Sequence, residues 1–148
     1  MTISYSRQQY LDKIAKTKKA VFRSKRSQPE HDEQVGVFNK LRSCEQDHPD
    51  LAFVFAVPNG GARHPAVAGR LKAEGVKRGV PDICIPIPRK GFHGLFIEMK
   101  VGKNTITPDQ KAYRDFLIRQ GYDHAVCYGQ EEALTRMGTY LDIDLSRP

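Results

Sequence analysis

Three charged residues stand where apolar strands should run. Asp82 opens the run Ile83-Cys84-Ile85, and Glu98 and Lys100 lie two apart in Leu95-Phe96-Ile97-Glu98-Met99-Lys100. Strand side chains alternate faces with period two, so Phe96, Glu98 and Lys100 share one face. Leu95, Ile97, Met99 and Val101 make the other, which is wholly apolar. Charges in a strand with this surrounding are rare unless paired or metal-bound. Pro86 and Pro88 end the first run, and Gly91 and Gly94 supply turn chemistry for a hairpin back into Leu95. Pairing the two strands brings Asp82 near Glu98 across the ladder, where two carboxylates repel unless a cation lies between them. Oxygen ligands with positions left for water and phosphate suit Mg²⁺ or Mn²⁺. The Met99 carbonyl, between the two active residues, would be available as a further ligand. Such an ion lowers the pKa of bound water and neutralises charge developing on a phosphate. Lys100 would orient or deprotonate that water, or hold the phosphate. Taken singly, Glu-x-Lys is a common solvated pair and Pro-Asp a common turn. Their order on adjacent predicted strands selects phosphodiester hydrolysis.

The flanking elements must position these groups. Ser27-Gln28-Pro29-Glu30 opens a helix with Gln34, Val37, Phe38 and Leu41 on one face. At about 100° per residue Glu30 falls near the centre of that inward stripe and Glu33 toward its flank. Ser27-x-x-Glu30 is also a capping box, which needs no catalysis. Leu51 to Val57 is nearly continuously apolar and predicts a central strand. Pro58-Asn59-Gly60-Gly61 breaks it, with glycines that let a backbone approach closely. Arg63 and His64 follow. Ala66 to Glu74 predicts a short helix ended by Gly75. Its Arg70 and Lys72, and Lys77-Arg78 beyond, either touch phosphates or decorate a surface. Thr107-Pro108-Asp109-Gln110 is a helix start: Thr107 as cap, Pro108 first, Gln110 as capping-box partner. Gln110, Tyr113 and Leu117 share a face. Gly121 ends that helix, His124–Tyr128 predicts a strand, and Glu131–Leu141 a helix with Ala133, Leu134, Met137 and Leu141 inward. Asp142–Pro148 is expected to be a loose tail. This order gives an α/β sandwich around a mixed sheet.

The 148 residues make one domain large enough for a core. With no long apolar run and no signal-peptide pattern, the chain is expected to be soluble and cytoplasmic, with no membrane partner. Cys44, Cys84 and Cys127 are far apart and in no Cys-x-x-Cys pair, which argues against disulfides and zinc. The five histidines lack metal-ligand spacing. Net charge is +7, and residues 1–26 carry all of it: eight bases against Asp12. The other 122 residues balance 16 bases with 16 acids. A basic N-terminal arm (1–26) thus precedes the domain (27–141) and tail (142–148). Tyr10, Leu11, Ile14 and Ala15 recur in the arm at helical spacing. Lys16, Lys18, Lys19, Arg23, Lys25 and Arg26, with Arg63 and Lys77, are the candidate nucleic-acid contacts, drawing phosphates by counterion release. A solvated face or a helix docking on a partner subunit would carry the same pattern.

Gly79-Val80-Pro81-Asp82, then a hairpin, then Ile97-Glu98-Met99-Lys100 resembles the PD-(D/E)XK nuclease superfamily. Pro58-Asn59-Gly60-Gly61, Arg70 to Val76, Gly91 to Leu95 and Thr107 to Gln110 narrow the resemblance to its VRR-NUC branch. It spans about residues 29–141, without departure at the core acids or the lysine. The resemblance implies a restriction-endonuclease-like fold and metal-dependent DNA cleavage by Asp82, Glu98 and Lys100. Glu30 matches where such folds place a helix-borne carboxylate, with Glu33 the alternative and Gln34 in support. Asn59 borders the site. Gln110-Lys111-Ala112-Tyr113 matches a Gln-x-x-Tyr pattern whose glutamine reaches the site, so cap and site compete for Gln110. Small members of the branch come largely from phages and bacteria. They are similar to junction-resolving enzymes, which implies a homodimer acting on branched DNA such as four-way junctions.

Overall fold

The computed structural model describes residues 29–59 and 64–146. Its elements run α1 (Pro29–Cys44), a 3₁₀ turn (Pro49–Phe53), β1 (Phe55–Ala56), α2 (Pro65–Ala73), β2 (Ile83–Ile85), β3 (Leu95–Lys100), α3 (Pro108–Arg119), β4 (Asp123–Tyr128) and α4 (Gln130–Leu141). The four strands form one mixed sheet in the order β1-β2-β3-β4. The first two pairings are antiparallel and β3–β4 is parallel. A parallel neighbour needs a crossover connection, and α3 provides it.

The apolar face of β3 anchors the core. Leu95, Ile97 and Met99 are completely buried with Ile83 and Ile85 of β2, Val37 and Leu41 of α1, and Ala133, Met137 and Tyr140 of α4. The Tyr140 hydroxyl is satisfied, donating to the Ile87 carbonyl at 2.9 Å and accepting from the Arg89 N–H at 3.2 Å. The β2–β3 hairpin turns at Lys90-Gly91, both with positive φ, and the Phe92 N–H closes the turn on the Arg89 carbonyl at 2.8 Å. Two such residues in sequence are the hallmark of a type I′ hairpin turn, whose twist matches the strands.

Two expectations are corrected. The run Leu51–Val57 is no central strand: it begins as a 3₁₀ turn and ends in a two-residue strand at the sheet edge. Pro49 opens the turn, and Leu51 and Val54 are buried three residues apart, while Phe53 is 70% and Phe55 50% exposed. The apolar run therefore buries with the period of a tight helix, not of a strand. The segment after α4 is not loose either, because Leu145 is 3% exposed and Ile143 packs against the core. Asp142 takes the left-handed conformation that ends α4, and the Ile143 N–H bonds the Gly138 carbonyl at 3.0 Å. Among the described residues, no helix is long and apolar enough to cross a membrane.

Candidate active site

Glu98 and Lys100 are the buried charged side chains among the described residues, 1% and 7% exposed. β3 carries them on the face opposite Leu95, Ile97 and Met99 because the strand alternates. The β2–β3 register pairs Ile83 with Ile97. One step further it sets Asp82 opposite Glu98 and Pro81 opposite Met99, so the two carboxylates share a face. The Val57 N–H bonds the Asp82 carbonyl at 2.7 Å, fixing the Asp82 backbone toward β1 and leaving its neighbours facing β3. The β2–β3 pairing stops at Ile83–Ile97, and Pro81 has no N–H to offer the Met99 carbonyl. The Met99 N–H donates to Asp82 Oδ2, at 2.8 Å.

Glu98 uses its two oxygens differently. Oε1 accepts from Lys100 Nζ at 2.7 Å and also from Gln110 Nε2. Oε2 is buried with no hydrogen-bond partner. An unmade bond on a buried carboxylate is costly, so such an atom calls for a ligand or, without one, for a proton shared with the Asp82 side chain, which interacts with Glu98. Gln110 does not choose between cap and site. Its Oε1 accepts the Thr107 N–H at 2.8 Å, completing the capping box, and the other end of the same amide donates to Glu98. The cap thereby fixes which way the amide points.

Burial, the close Asp82 and Glu30 raise Glu98 to about 7, although Lys100 pulls the other way. Asp82 is also raised, chiefly by burial, against the Met99 N–H and Lys100. Burial alone would lower the Lys100 ammonium, but Glu98, Glu30 and Asp82 outweigh it and hold Lys100 above its ordinary value. Glu30 thus belongs electrostatically to the cluster: half-buried at the start of α1, it acts on all three groups. Glu33 is engaged elsewhere, its Oε2 accepting the Gln130 N–H at 2.6 Å at the start of α4. Gln34 is half-buried one turn after Glu30, and the hydrogen bonds of the acid pair go to other residues.

Asn59 braces the approach to Asp82. Its Nδ2 donates to the Val80 carbonyl, and its Oδ1 is buried without a partner. The brace from the other side is Gly79, whose φ is +81° and where a Cβ would lie 2.5 Å from the Asp109 carbonyl oxygen. Only glycine permits both the conformation and the contact. The loop into Asp82 therefore leans directly on the first turn of α3, the turn that carries Gln110. Sequence reading did not find this contact or the role of Pro81. The signal was the Gly-x-Pro-Asp spacing itself.

Ser27 and the arm residues Lys16, Lys18, Lys19, Arg23, Lys25 and Arg26 lie outside the described residues, as does Arg63. Lys77 is exposed on the segment before Gly79.

The donor set suits a hard divalent ion. The partnerless Glu98 Oε2 and the Asp82 carboxylate are oxygen donors on one face of the sheet, and the Met99 carbonyl lies on the same strand as Glu98. Among the described residues no three His, Cys, Asp or Glu side chains converge tightly enough to enclose an ion by themselves. Mg²⁺ commonly needs only one or two carboxylates, with water and substrate oxygens completing its shell.

A mixed sheet flanked by helices, with an aspartate facing Glu-x-Lys across a hairpin, defines an α/β domain of the PD-(D/E)XK kind. A model of the VRR-NUC domain matches residues 58–131, and the chain belongs to that family of nuclease domains. A solved structure described as a VRR_NUC domain protein is similar, with a TM-score of 0.65 and 29% identity over 80% of this chain and 93% of its own. No curated protein matches. The matched segment contains Asn59, Asp82, Glu98, Lys100 and Gln110, and Glu30 on α1 lies before it.

Proposed function

We propose that the protein is a metal-dependent DNA endonuclease acting on branched DNA. The observation that carries this reading is the buried Glu98 Oε2, which has no hydrogen-bond partner and stands on the strand face that the register gives to Asp82 as well. Asp82, Glu98 and the Met99 carbonyl would hold Mg²⁺ or Mn²⁺, with Glu30 adding negative charge from α1. When bound, the ion supplies an activated water and neutralises charge building on the phosphate. The chain's own residues do the positioning. Gln110 and Lys100 occupy Glu98 Oε1, so Oε2 is the oxygen left for the ion. The Met99 N–H fixes Asp82 Oδ2 in the same way. Lys100 offers an ammonium that orients the attacking water and holds the scissile phosphate for in-line displacement. Asn59, Gln34 and Gln110 support the approach.

The family's similarity to junction-resolving enzymes supports branched DNA as the substrate, and a homodimer would supply the sites that it needs. One site cuts one strand, and symmetric cleavage of a four-way junction takes two related sites. The basic residues of the arm, with Arg63 and Lys77, would grip the junction arms. The test compares labelled four-way junction, flap, single-strand and linear duplex DNA, each with Mg²⁺, Mn²⁺ or EDTA, alongside sedimentation of the free protein. Paired symmetric cuts in the junction by a dimer are expected. Cutting of flaps or plain duplex alone would leave the chemistry and remove the junction role. Binding without cutting under any metal would leave a DNA-binding module on a nuclease fold.

A further inference from the structure

Helix α2 is the one described helix that buries none of its residues. It shares no substantial packing with any other described helix or strand. Nine residues are too few for a helix to persist in water on propensity alone. Here both ends are fastened locally. Pro65 occupies the first turn and His64 Nδ1 accepts the Ala66 N–H at 3.3 Å. At the other end Gly75, with φ +100°, lets the Val76 N–H reach the Leu71 carbonyl at 2.9 Å. The helix is shaped in advance without being used by the fold.

Its attachment is informative. Asn59, before α2, and Val80, after it, are drawn together by the Asn59 Nδ2 bond to the Val80 carbonyl. Pro81 and Asp82 follow at once. The described segment that follows α2 therefore rejoins the body beside the acid site.

Its charge is also distinct. Residues 64–79 hold Arg70, Lys72, Lys77 and Arg78 against Glu74 alone. The remainder of residues 27–148 holds 12 bases and 15 acids. A site crowded with carboxylates repels a polyanion, so its substrate must be seated by cations nearby. Arg70 spends part of its charge on Glu74, at 2.8 Å, but both groups are largely exposed, where such pairs are weak and open to exchange.

We infer that α2, with its return segment through Arg78, is a phosphate-gripping arm that seats the DNA backbone beside the Asp82–Glu98 site. The inference rests on the nuclease reading and assigns the grip to a particular element of the folded body. Removing one cation that neutralises a phosphate should lower the slope of log K against log salt by about 0.9.

The experiment measures binding of labelled duplex and four-way junction DNA in Ca²⁺ across a salt series, for wild type and the full-length Arg70→Ala/Lys72→Ala variant. Thermal unfolding and sedimentation of both proteins are run beside it. The variant is expected to keep its Tm, because α2 buries nothing. Its affinity should fall about tenfold or more near 0.1 M salt, and its salt slope should drop by about one to two units. Equal affinity and slope in the two proteins, with wild type both binding and cutting, would overturn the inference and leave the nuclease intact. A change in sedimenting mass with unchanged DNA binding would make α2 a surface for a second copy and overturn it too. If wild type neither binds nor cuts DNA, the nuclease reading fails, and the inference with it.

Discussion

Glu98 makes the metal-free protein sensitive to pH in a direction opposite to the usual surface carboxylate. Its carboxyl is raised from 4.5 to about 7 in the fold, chiefly by burial. Between these values the folded state keeps a proton that the unfolded chain has released. Stability therefore falls as pH rises through the window, and is lowest above pH 7. A shift of that size is worth about 3 kcal/mol, or roughly 10 °C in Tm for a domain of this length. Asp82 is raised too and adds in the same direction. Lys100, held above its ordinary value, contributes stability that is constant across this range and lost only in strong alkali. His124 is lowered by burial and Arg114, so its contribution rises toward pH 6.5 and opposes the trend. Comparison with Glu98→Gln removes the titration of the glutamate together with its coupling to Asp82, while the histidine contribution is common to both proteins. The assay is thermal unfolding from pH 5 to pH 8 in EDTA, and again with Mg²⁺. The wild type should lose stability toward pH 8 in EDTA, the variant much less, and Mg²⁺ should restore the wild type most strongly at pH 8. A Tm that is flat or rising from pH 5 to pH 8 in EDTA, or equal slopes in the two proteins, would refute the reasoning.

Four further outcomes follow from three individual residues. Gly79→Ala, which forces a Cβ against the Asp109 carbonyl at a positive φ, should cost about 2 kcal/mol or more and weaken cleavage, read by unfolding and by initial rates. Gln110→Ala should cost about 1 kcal/mol through the capping box and slow cleavage at least tenfold. Gln110→Glu should keep the cap yet lose cleavage as severely, because a carboxylate then faces Glu98. Leu145→Ala should destabilise by about 2–3 kcal/mol in denaturant titration, as a core residue and not part of a loose tail.

The placement of the charged side chains was legible because it depended on alternation. Period two alone put Glu98 and Lys100 on one face, and a hairpin with Gly91 in its turn set Asp82 across from them. The Thr107–Gln110 capping box was equally local. Leu51–Val57 misled because a short apolar run does not reveal its period when both faces hold apolar residues, and exposed Phe53 and Phe55 disguised the turn. Leu145 could not be placed from its own segment, since its burial depends on α4 ending at Asp142 in a left-handed conformation. Glu30 and Glu33 are separated only by tertiary structure: the start of α4 takes Glu33 and leaves Glu30 with the acids. Both uses of Gln110 were legible as alternatives, but not that one amide serves cap and site at once, which depends on how α3 meets β3.

The central claim is that Asp82, Glu98 and Lys100 form one metal-dependent phosphodiesterase centre. Its most direct measurement is single-turnover cleavage of end-labelled four-way junction DNA in Mg²⁺, Mn²⁺ and EDTA by wild type and Lys100→Ala. Lys100 touches the substrate phosphate in this account without holding the ion. The variant should therefore bind DNA and Mn²⁺ much as wild type does, while cutting at least a hundredfold more slowly, and EDTA should abolish cutting by both. Cleavage that survives EDTA, or a Lys100→Ala protein that cuts at the wild-type rate, would contradict it.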